Sequence, residues 1–315
     1  MLKSVFFGTP GVAVPFLEEL AKTTQVLMVV TQPDRPFGRG LEIKPCPVKK
    51  RALELGLPVM SPEKFKDIVP QIAALNADLG LAVAYGKIFR KPALEALKYG
   101  ILNVHFSLLP KYRGAAPVQY TLFNNEEKTG VSLFWIDEGL DTGLLATQKQ
   151  IDILPQDNSI SLFEKLTNLG LEATKEVLAD IALGKINKTE QTGQPSLAPV
   201  IQKEDCLVSF TKMTALEIHG KVRGLASAMP SYARALTPQG QAVQIFKTTL
   251  LKEKQTLKQA KPGTLISIVK EGGFFIQCIE GVLLIESLRP SGKNTMSAKD
   301  YANGRSFKAG SEVFL

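Results

Sequence analysis

The first 185 residues alternate short apolar runs with longer stretches of helical periodicity, and this alternation constrains the fold more than any other feature. Five apolar runs have the length of buried strands: 3–7, 26–31, 79–84, 101–104 and 131–136. Between the first two runs, Phe16, Leu17 and Leu20 recur at helical spacing. Short buried strands separated by helices predict an α/β fold, a Rossmann-like doubly wound parallel sheet with helices on both faces.

The texture of the chain changes after Gly184. Residues 187–203 carry Pro, Gly, Gln and Ser without apolar periodicity, which is typical of a linker. The segments that follow are short, β-rich and separated by glycine turns, which favours a small OB-like β-barrel. We therefore predict a catalytic α/β domain at 1–186, a linker at 187–203 and an OB-like domain at 204–315.

Two four-residue patterns predict the starts of helices. Both Ser161-Leu-Phe-Glu164 and Thr214-Ala-Leu-Glu217 place a hydroxyl residue three positions before a glutamate. In this capping box the hydroxyl accepts a hydrogen bond from the third helical N–H, and the glutamate reaches back to the cap. We expect one helix to begin at each pattern.

The positive charge of the chain belongs almost wholly to its C-terminal part. The formal net charge is +8. Residues 1–185 carry 21 Lys and Arg against 20 Asp and Glu, whereas residues 186–315 carry 17 against 10, a net of +7. Since phosphate contacts give affinity that does not depend on sequence, a basic module attached to a neutral one favours a polyanionic partner. A basic surface without any such partner is the simpler alternative.

Other features exclude whole classes of protein. An uninterrupted apolar run of the ~18 residues that a membrane span requires does not occur. The first residues enter a strand-like run directly, so we expect a cytoplasmic protein without a leader peptide. The three cysteines are far apart and the chain has two histidines, so we expect neither a disulfide framework nor a metal site.

The densest polar constellation follows the run at 101–104. Asn103 and His105 are two residues apart, so on a strand both side chains point to the same face. Asp141 lies in a glycine-flanked turn after the run at 131–136, and a carboxylate there can orient an imidazole. An amide, an imidazole and a carboxylate suit acyl transfer to an amine: the amide and the imidazole would stabilise the tetrahedral oxyanion, and the Asp–His pair would take the proton that the amine loses. Taken singly, Asn103 and Asp141 fit turn residues, and His105 and His219 fit structural histidines, so the residues alone leave these alternatives open.

The string Asn103-Val-His105-Phe-Ser-Leu-Leu-Pro110 with Asp141 resembles the signature of the 10-formyltetrahydrofolate-dependent formyltransferases. The strings at 7–10, 31–40, 84–87 and 112–117 are similar to the members of that family that act on a charged tRNA. The resemblance implies transfer of a formyl group from 10-formyltetrahydrofolate, as cosubstrate, to the free amino group of methionyl initiator tRNA in translation initiation.

The resemblance also assigns roles to residues. It implies that Asn103, His105 and Asp141 are catalytic. The residues that it implies for the folate site are Ser107, Leu108, Leu109 and Pro110. Arg39, in the string Gly-Arg-Gly, would contact the tRNA, with Lys44 as the nearest following cation. Since one basic domain serves one tRNA, we expect a monomer.

Three alternatives stay open at this point. A formyltransferase that acts on a sugar-nucleotide amine would share the three catalytic residues but would need neither the Gly-Arg-Gly loop nor the basic module. A tRNA-binding protein without activity would have no use for those three residues. A hydrolase would release formate from the same folate to water.

Overall fold

The structure is a computed structural model that describes residues 1–37, 42–228, 230–251, 260–270 and 272–315. The chain packs as two compact units. The first unit comprises Met1–Pro117, Lys128–Asp152 and Phe163–Pro199. The second comprises Val118–Glu127, Ile153–Leu162 and Val200–Leu315.

Nine strands lie in the first unit, counting the described residues. Their bounds are β1 Lys3–Gly8, β2 Gln25–Val30, β3 Arg35–Phe37, β4 Glu42–Lys44, β5 Val59–Met60, β6 Leu79–Val83, β7 Ile101–His105, β8 Lys128–Trp135 and β9 Leu145–Asp152. The helices of the N-terminal half are α1 Val14–Thr23, α2 Pro47–Glu54, α3 Val69–Ala74, α4 Lys91–Leu94, α5 Pro117–Phe123 and α6 Ser159–Ala182.

Seven of these strands form one sheet in the order β5-β2-β1-β6-β7-β8-β9, and β3 pairs with β4 as a separate hairpin. The chain first builds outward from β1 to β2 and β5, and then returns to place β6 on the other side of β1. Such a reversal is the topological switch point of a doubly wound sheet, and ligands bind there beyond the carboxyl ends of the strands. The predicted α/β class is confirmed.

The core explains why the apolar runs became strands. Every residue of β6 is buried, and so are Phe6 and Phe7 of β1, because both strands are covered on both faces. Phe7 packs edge to face against Phe65 and Phe89, with ring centroids 5.9 and 5.0 Å apart. The carboxyl ends of β6 and β7 are therefore anchored in the core, and the loops that follow them begin from fixed positions.

The last two strands differ from the prediction of a parallel sheet. β8 is antiparallel to β7, with Leu102 opposite Trp135 and His105 opposite Ser132, and β9 is antiparallel to β8. The end of β8 therefore lies beside the beginning of β7, away from His105. Only the loop between β8 and β9 can return Asp141 to the other end of β7.

The second unit carries an antiparallel sheet in the order β10-β11-β14-β13-β12, with β15 paired to β14. Its elements are α7 Ala215–Gly224, β10 Ala233–Leu236, β11 Ala242–Leu250, β12 Leu265–Ile268, β13 Phe274–Gln277, β14 Val282–Pro290, β15 Met296–Ser297 and α8 Ala298–Gly304. A Rossmann-like α/β unit followed by a small β unit confirms the predicted fold class.

One predicted capping box is present and the other is displaced. Thr214 accepts from the backbone N–H of Glu217, whose carboxylate accepts from the N–H of Thr214, so α7 begins as predicted. Helix α6 instead begins at Ser159, two residues before the predicted cap. Asn158 holds that cap, because its Oδ1 accepts from the N–H groups of Ile160 and Ser161 at 2.9 and 3.2 Å.

The predicted linker is bonded over most of its length. Residues 187–199 belong to the first unit, and the chain passes to the second unit at Val200. The domain boundaries at 186 and 204 stay predictions. In the described ranges, none of the helices has both the length and the apolar character that crossing a membrane requires.

Candidate active site

Asn103 and His105 lie on one face of β7, which is flanked by β6 and β8. Asn103 pairs with Ala82 of β6 and with Phe134 of β8. Asn103 is half-buried, whereas His105 is 5% exposed. Because alternate residues of a strand share a face, the two side chains are presented together, as the sequence predicts.

The hydrogen bonds of His105 define its protonation. Its Nε2 lies 2.8 Å from the carbonyl oxygen of Tyr112. Since a carbonyl oxygen only accepts, Nε2 carries the proton and donates it. Burial lowers the pKa of His105 below its usual value of 6.5, against the opposing effects of Asp141 and of the bond to Tyr112. The imidazole is therefore neutral near pH 7, and its Nδ1 is unprotonated.

Asp141 reaches His105 from the loop between β8 and β9. Its Oδ2 lies 3.7 Å from Nδ1 of His105 and accepts a 2.7 Å hydrogen bond from the backbone N–H of Gly114. The distance of 3.7 Å exceeds a hydrogen bond, which agrees with two unprotonated atoms facing each other. An imidazole that gained a proton at Nδ1 would face a carboxylate able to stabilise it.

The loop predicted to line a folate site is held by hydrogen bonds within the protein. Ser132 on β8 donates from Oγ to the carbonyl of Ser107 at 2.6 Å and accepts from the N–H of Leu109 at 3.0 Å. Gln148 on β9 donates to the carbonyl of Leu109 at 2.8 Å. Ser107, Leu109 and Pro110 are buried and Leu108 is half-buried. The loop is thus a braced wall beside His105.

Large apolar side chains are exposed on the loops next to this site. Ile88, five residues after the end of β6, is 79% exposed, and Leu140, the neighbour of Asp141, is 59% exposed. Because β6 and β7 are adjacent and parallel, Ile88 follows the same edge of the sheet that carries His105. An apolar surface beside a few convergent polar groups is typical of a binding site for a flat organic molecule.

The two residues predicted to contact tRNA have different outcomes. Arg39 lies outside the described residues. Lys44 ends β4 of the hairpin that flanks the Gly-Arg-Gly string, and it is exposed. Within the part of the chain that the structure describes, no three His, Cys, Asp or Glu side chains are grouped so that they could hold a metal ion.

The residues that connect the loops of the site are not among the predicted site residues. Tyr112 supplies the acceptor for His105, and Gly114 supplies the donor for Asp141. Gln191, from the predicted linker, donates to the carbonyls of Asp141 and Gly143. Tyr112 and Gly114 stand in a string already noted as similar to the family, whereas no local pattern singles out Gln191.

Two family descriptions match the chain on either side of the predicted linker. "Formyl transferase" matches residues 2–178, and "Formyl transferase, C-terminal domain" matches residues 200–306. The first match covers more than half of the chain. It includes Asn103, His105 and Asp141, which lie at the switch point of the doubly wound sheet. The chain belongs to the formyl transferase family, as the sequence motifs predict.

Relatives that align over nearly the full chain bear the name of one kind of formyl transferase. The methionyl-tRNA formyltransferase of Elusimicrobium minutum (strain Pei191) is 44% identical over 334 aligned residues, which cover 99% of this chain and 100% of the relative. The methionyl-tRNA formyltransferase of Thermodesulfovibrio yellowstonii is 40% identical over 313 residues, 98% of each chain.

Solved structures share the fold at lower identity. An N-formyltransferase from Helicobacter canadensis, in complex with folinic acid and dTDP-3-aminofucose, has a TM-score of 0.65 and 21% identity, covering 92% of this chain and 100% of that chain. HypX from Aquifex aeolicus in complex with tetrahydrofolic acid has a TM-score of 0.59 and 17% identity. This chain spans 46% of HypX, covering 95% of its own length.

Proposed function

We propose that this enzyme transfers the formyl group of 10-formyltetrahydrofolate to the free amino group of methionyl initiator tRNA, which gives N-formylmethionyl-tRNA for translation initiation. The observation that carries the proposal is the buried, neutral His105 with its unprotonated Nδ1 facing Asp141. Full-length similarity to relatives named methionyl-tRNA formyltransferase supports the choice of acceptor.

The residues of the site divide the reaction between them. The amide of Asn103 donates a hydrogen bond to the formyl oxygen as negative charge develops there during attack by the amine. His105 accepts the proton of the attacking amine at Nδ1, because Nε2–H is already held by Tyr112. Asp141 stabilises the imidazolium that results. His105 then returns the proton to the departing nitrogen, so that one N–C bond forms and one breaks.

This assignment changes one expectation from the sequence. The sequence predicts that Asn103 and His105 together stabilise the formyl oxygen. A neutral His105 whose one N–H is bonded to a carbonyl has no donor for that oxygen until it gains a proton. We therefore assign the early stabilisation of the oxygen to Asn103 and the proton to His105.

The described residues fit a pterin-containing cosubstrate, which supplies the formyl carbon when it is bound. The wall formed by Ser107, Leu108, Leu109 and Pro110 would hold one side of it. The exposed Ile88 and Leu140 would cover apolar surface that otherwise faces water. Because the polar groups of Ser107 and Leu109 are bonded within the protein, we assign this loop a shaping role.

We propose that the C-terminal residues 204–315 form the tRNA-binding domain and that Arg39 and Lys44 contact the acceptor end. The net charge of +7 over residues 186–315 supports this division, since each phosphate contact adds affinity through counterion release. We further propose a monomer in the cytoplasm that serves one tRNA at a time.

The proposal is tested by incubating the protein with labelled 10-formyltetrahydrofolate and three acceptors: charged initiator tRNA, the same tRNA uncharged, and a dTDP-amino sugar. We expect label only on the charged tRNA.

Formylation should weaken steeply between about 50 and 200 mM salt. Asn103→Ala should lower turnover about 10²- to 10³-fold, the usual effect of removing an oxyanion donor. Label on the sugar, or free formate without acceptor, would refute the proposed acceptor.

A further inference from the structure

Residues 187–198, which we call the anchor segment, are bonded to two different loops of the site. At one end, Thr189 exchanges backbone hydrogen bonds of 2.7 and 2.9 Å with Leu145, at the start of β9. At the other end, Ser196 accepts from the N–H of Tyr112 through its Oγ at 2.9 Å. Ala198 donates to the carbonyl of Arg113 at 2.7 Å. The anchor segment therefore touches the loop of Tyr112 and the loop of Asp141.

Gln191 is the side chain that joins these loops to each other. Its Nε2 donates to the carbonyls of Asp141 and Gly143 at 2.8 and 2.9 Å. Its Oε1 accepts from Nη2 of Arg113 at 2.6 Å. Arg113 lies between Tyr112, which holds His105, and Gly114, which holds the carboxylate of Asp141. One amide group thus uses both ends to hold the two arms of the His105–Asp141 pair.

Asp141 needs such support because of its backbone. Its φ is +52°, a left-handed conformation that Asp adopts readily where its own side chain bonds to the local backbone. Here the carboxylate is bonded to Gly114, 27 residues away. Local bonds stabilise the earlier part of the same turn, where Oδ1 of Asp137 accepts from the N–H of Gly139 and from Oγ1 of Thr142. The carbonyl of Asp141 itself is held by Gln191. Loss of that bond would loosen the backbone of Asp141 and leave its carboxylate to the N–H of Gly114.

We infer that Gln191 is a positioning residue for formyl transfer, which holds the carboxylate of Asp141 against His105 by bridging Asp141, Gly143 and Arg113. The inference rests on the proposed function, because the reaction that it supports is the same. It gives the predicted linker a part in the chemistry that neither its composition nor its place between two domains indicates.

The chain allows a direct readout of this position. It has two histidines, so the imidazole NMR signals of His105 and His219 can be assigned with one His219→Gln variant. The carboxylate of Asp141 raises the pKa of His105 against burial. A carboxylate that drifts away must therefore lower the pKa of His105 further, in the same direction as Asp141→Asn.

The experiment compares Gln191→Ala and Gln191→Glu with Gln194→Ala, a change at an exposed glutamine of the same segment. Glutamate keeps an acceptor for Arg113 but cannot donate to the two carbonyls, so it isolates the donor function. We expect kcat to fall up to about 100-fold in both Gln191 variants, as a misplacement of about 1 Å can cause. We expect KM to stay near wild type in both variants. The pKa of His105 is compared in Gln191→Ala, where it should fall, because the new negative charge of Gln191→Glu would itself raise that pKa. Gln194→Ala should leave kcat, KM and the pKa of His105 unchanged.

Two results would overturn the inference. One is wild-type kcat in both Gln191 variants with an unchanged His105 pKa in Gln191→Ala. The other is a lower kcat with an unchanged His105 pKa in Gln191→Ala, which would show that Gln191 does not act by holding the carboxylate of Asp141 against His105. A wild-type protein that fails to formylate tRNA, together with a His105 pKa that falls in Gln191→Ala, would refute the proposed function while supporting the positioning role of Gln191.

Discussion

The two histidines of the chain are buried to the same degree but lie among different neighbours. His105 is 5% exposed and His219 is 7% exposed. Burial is the main cause of a lowered pKa in both, and for His219 the pKa falls to about 4, helped by the positive charge of Arg223 and opposed by Glu286. A buried, neutral imidazole alone therefore does not mark an active site.

The two imidazole rings differ in the groups that they contact. Nδ1 of His219, on α7, lies 2.9 Å from Oγ1 of Thr248 on β11. That contact joins one helix to one strand. His105 instead lies where a strand, two loops and the anchor segment meet, and its Nδ1 faces a carboxylate at 3.7 Å. Convergence of separate segments on an unprotonated nitrogen distinguishes the candidate catalytic histidine.

The strongest way to break this comparison is to exchange each imidazole for an amide. His105→Gln removes the proposed proton acceptor and should lower kcat about 10²- to 10⁴-fold. His219→Gln can keep a hydrogen bond to Thr248 and should leave kcat near wild type. The measurement is single-turnover formylation of charged initiator tRNA by both variants. An equal loss of kcat in the two variants would show that the place of His105 beside Asp141 does not account for its role in turnover.

Acid stability should reveal the cost of the buried His219. Its folded pKa of about 4 lies below the usual 6.5, so the unfolded chain binds its proton first as the pH falls. The free energy of unfolding should therefore be unaffected above about pH 6.5 and should drop by roughly 3 kcal/mol by about pH 4. Urea unfolding of wild type and His219→Gln across this window measures the difference. His105 contributes equally to both proteins. Parallel curves would contradict the prediction.

The loop arms beside His105 should be more sensitive than an open turn with similar backbone. Gly114 has φ +118°, and an added Cβ would lie 2.7 Å from the carbonyl oxygen of Ala198. Gly114→Ala should cost about 3 kcal/mol of stability and also lower kcat, because it displaces the N–H that Asp141 accepts. Gly193, with φ +106°, has open space around it. Gly193→Ala should cost about 1 kcal/mol and leave kcat unchanged. Denaturant melts and initial rates check both.

The smallest expected difference is between two hydroxyl groups, that of Ser132 near His105 and that of Thr248 beside His219. Ser132→Ala leaves the backbone groups of Ser107 and Leu109 without their partner, and should cost about 2 kcal/mol and raise KM for the folate. Thr248→Val removes one partner of His219 and should cost about 1 kcal/mol without changing KM. A folate KM that rises equally in both variants would remove the distinction.

Much of the fold could be predicted because it depends on local pattern. The apolar runs became β1, β6 and β7 since each is buried on both faces. The Thr214 capping box began α7 because both partners lie within four residues. The same pattern at Ser161 failed, since Asn158 stands close enough upstream to hold the cap instead. Local rules compete, and a nearer cap decides the boundary.

The site could be predicted only in part. Asn103 and His105 share a face of β7 by strand geometry alone. A parallel sheet predicts that Asp141 follows the end of its strand, at the same edge as His105. β8 is antiparallel, and the loop after it brings the carboxylate of Asp141 to His105. The role of Gln191 could not be predicted, because the segment around it, rich in Gly, Pro and Ser, has no apolar periodicity. Its three hydrogen-bond partners lie 48 to 78 residues away in the sequence.

The amino-acid sequence by itself determined the two-part organisation, the family and the three side chains of the candidate site, since these depend on composition, periodicity and motif. Tertiary structure alone decided the protonation of His105, the distance from Asp141 to its ring and the bonding of the anchor segment. The physical reason is that burial and hydrogen-bond partners come from residues far apart in the chain, which no local pattern records.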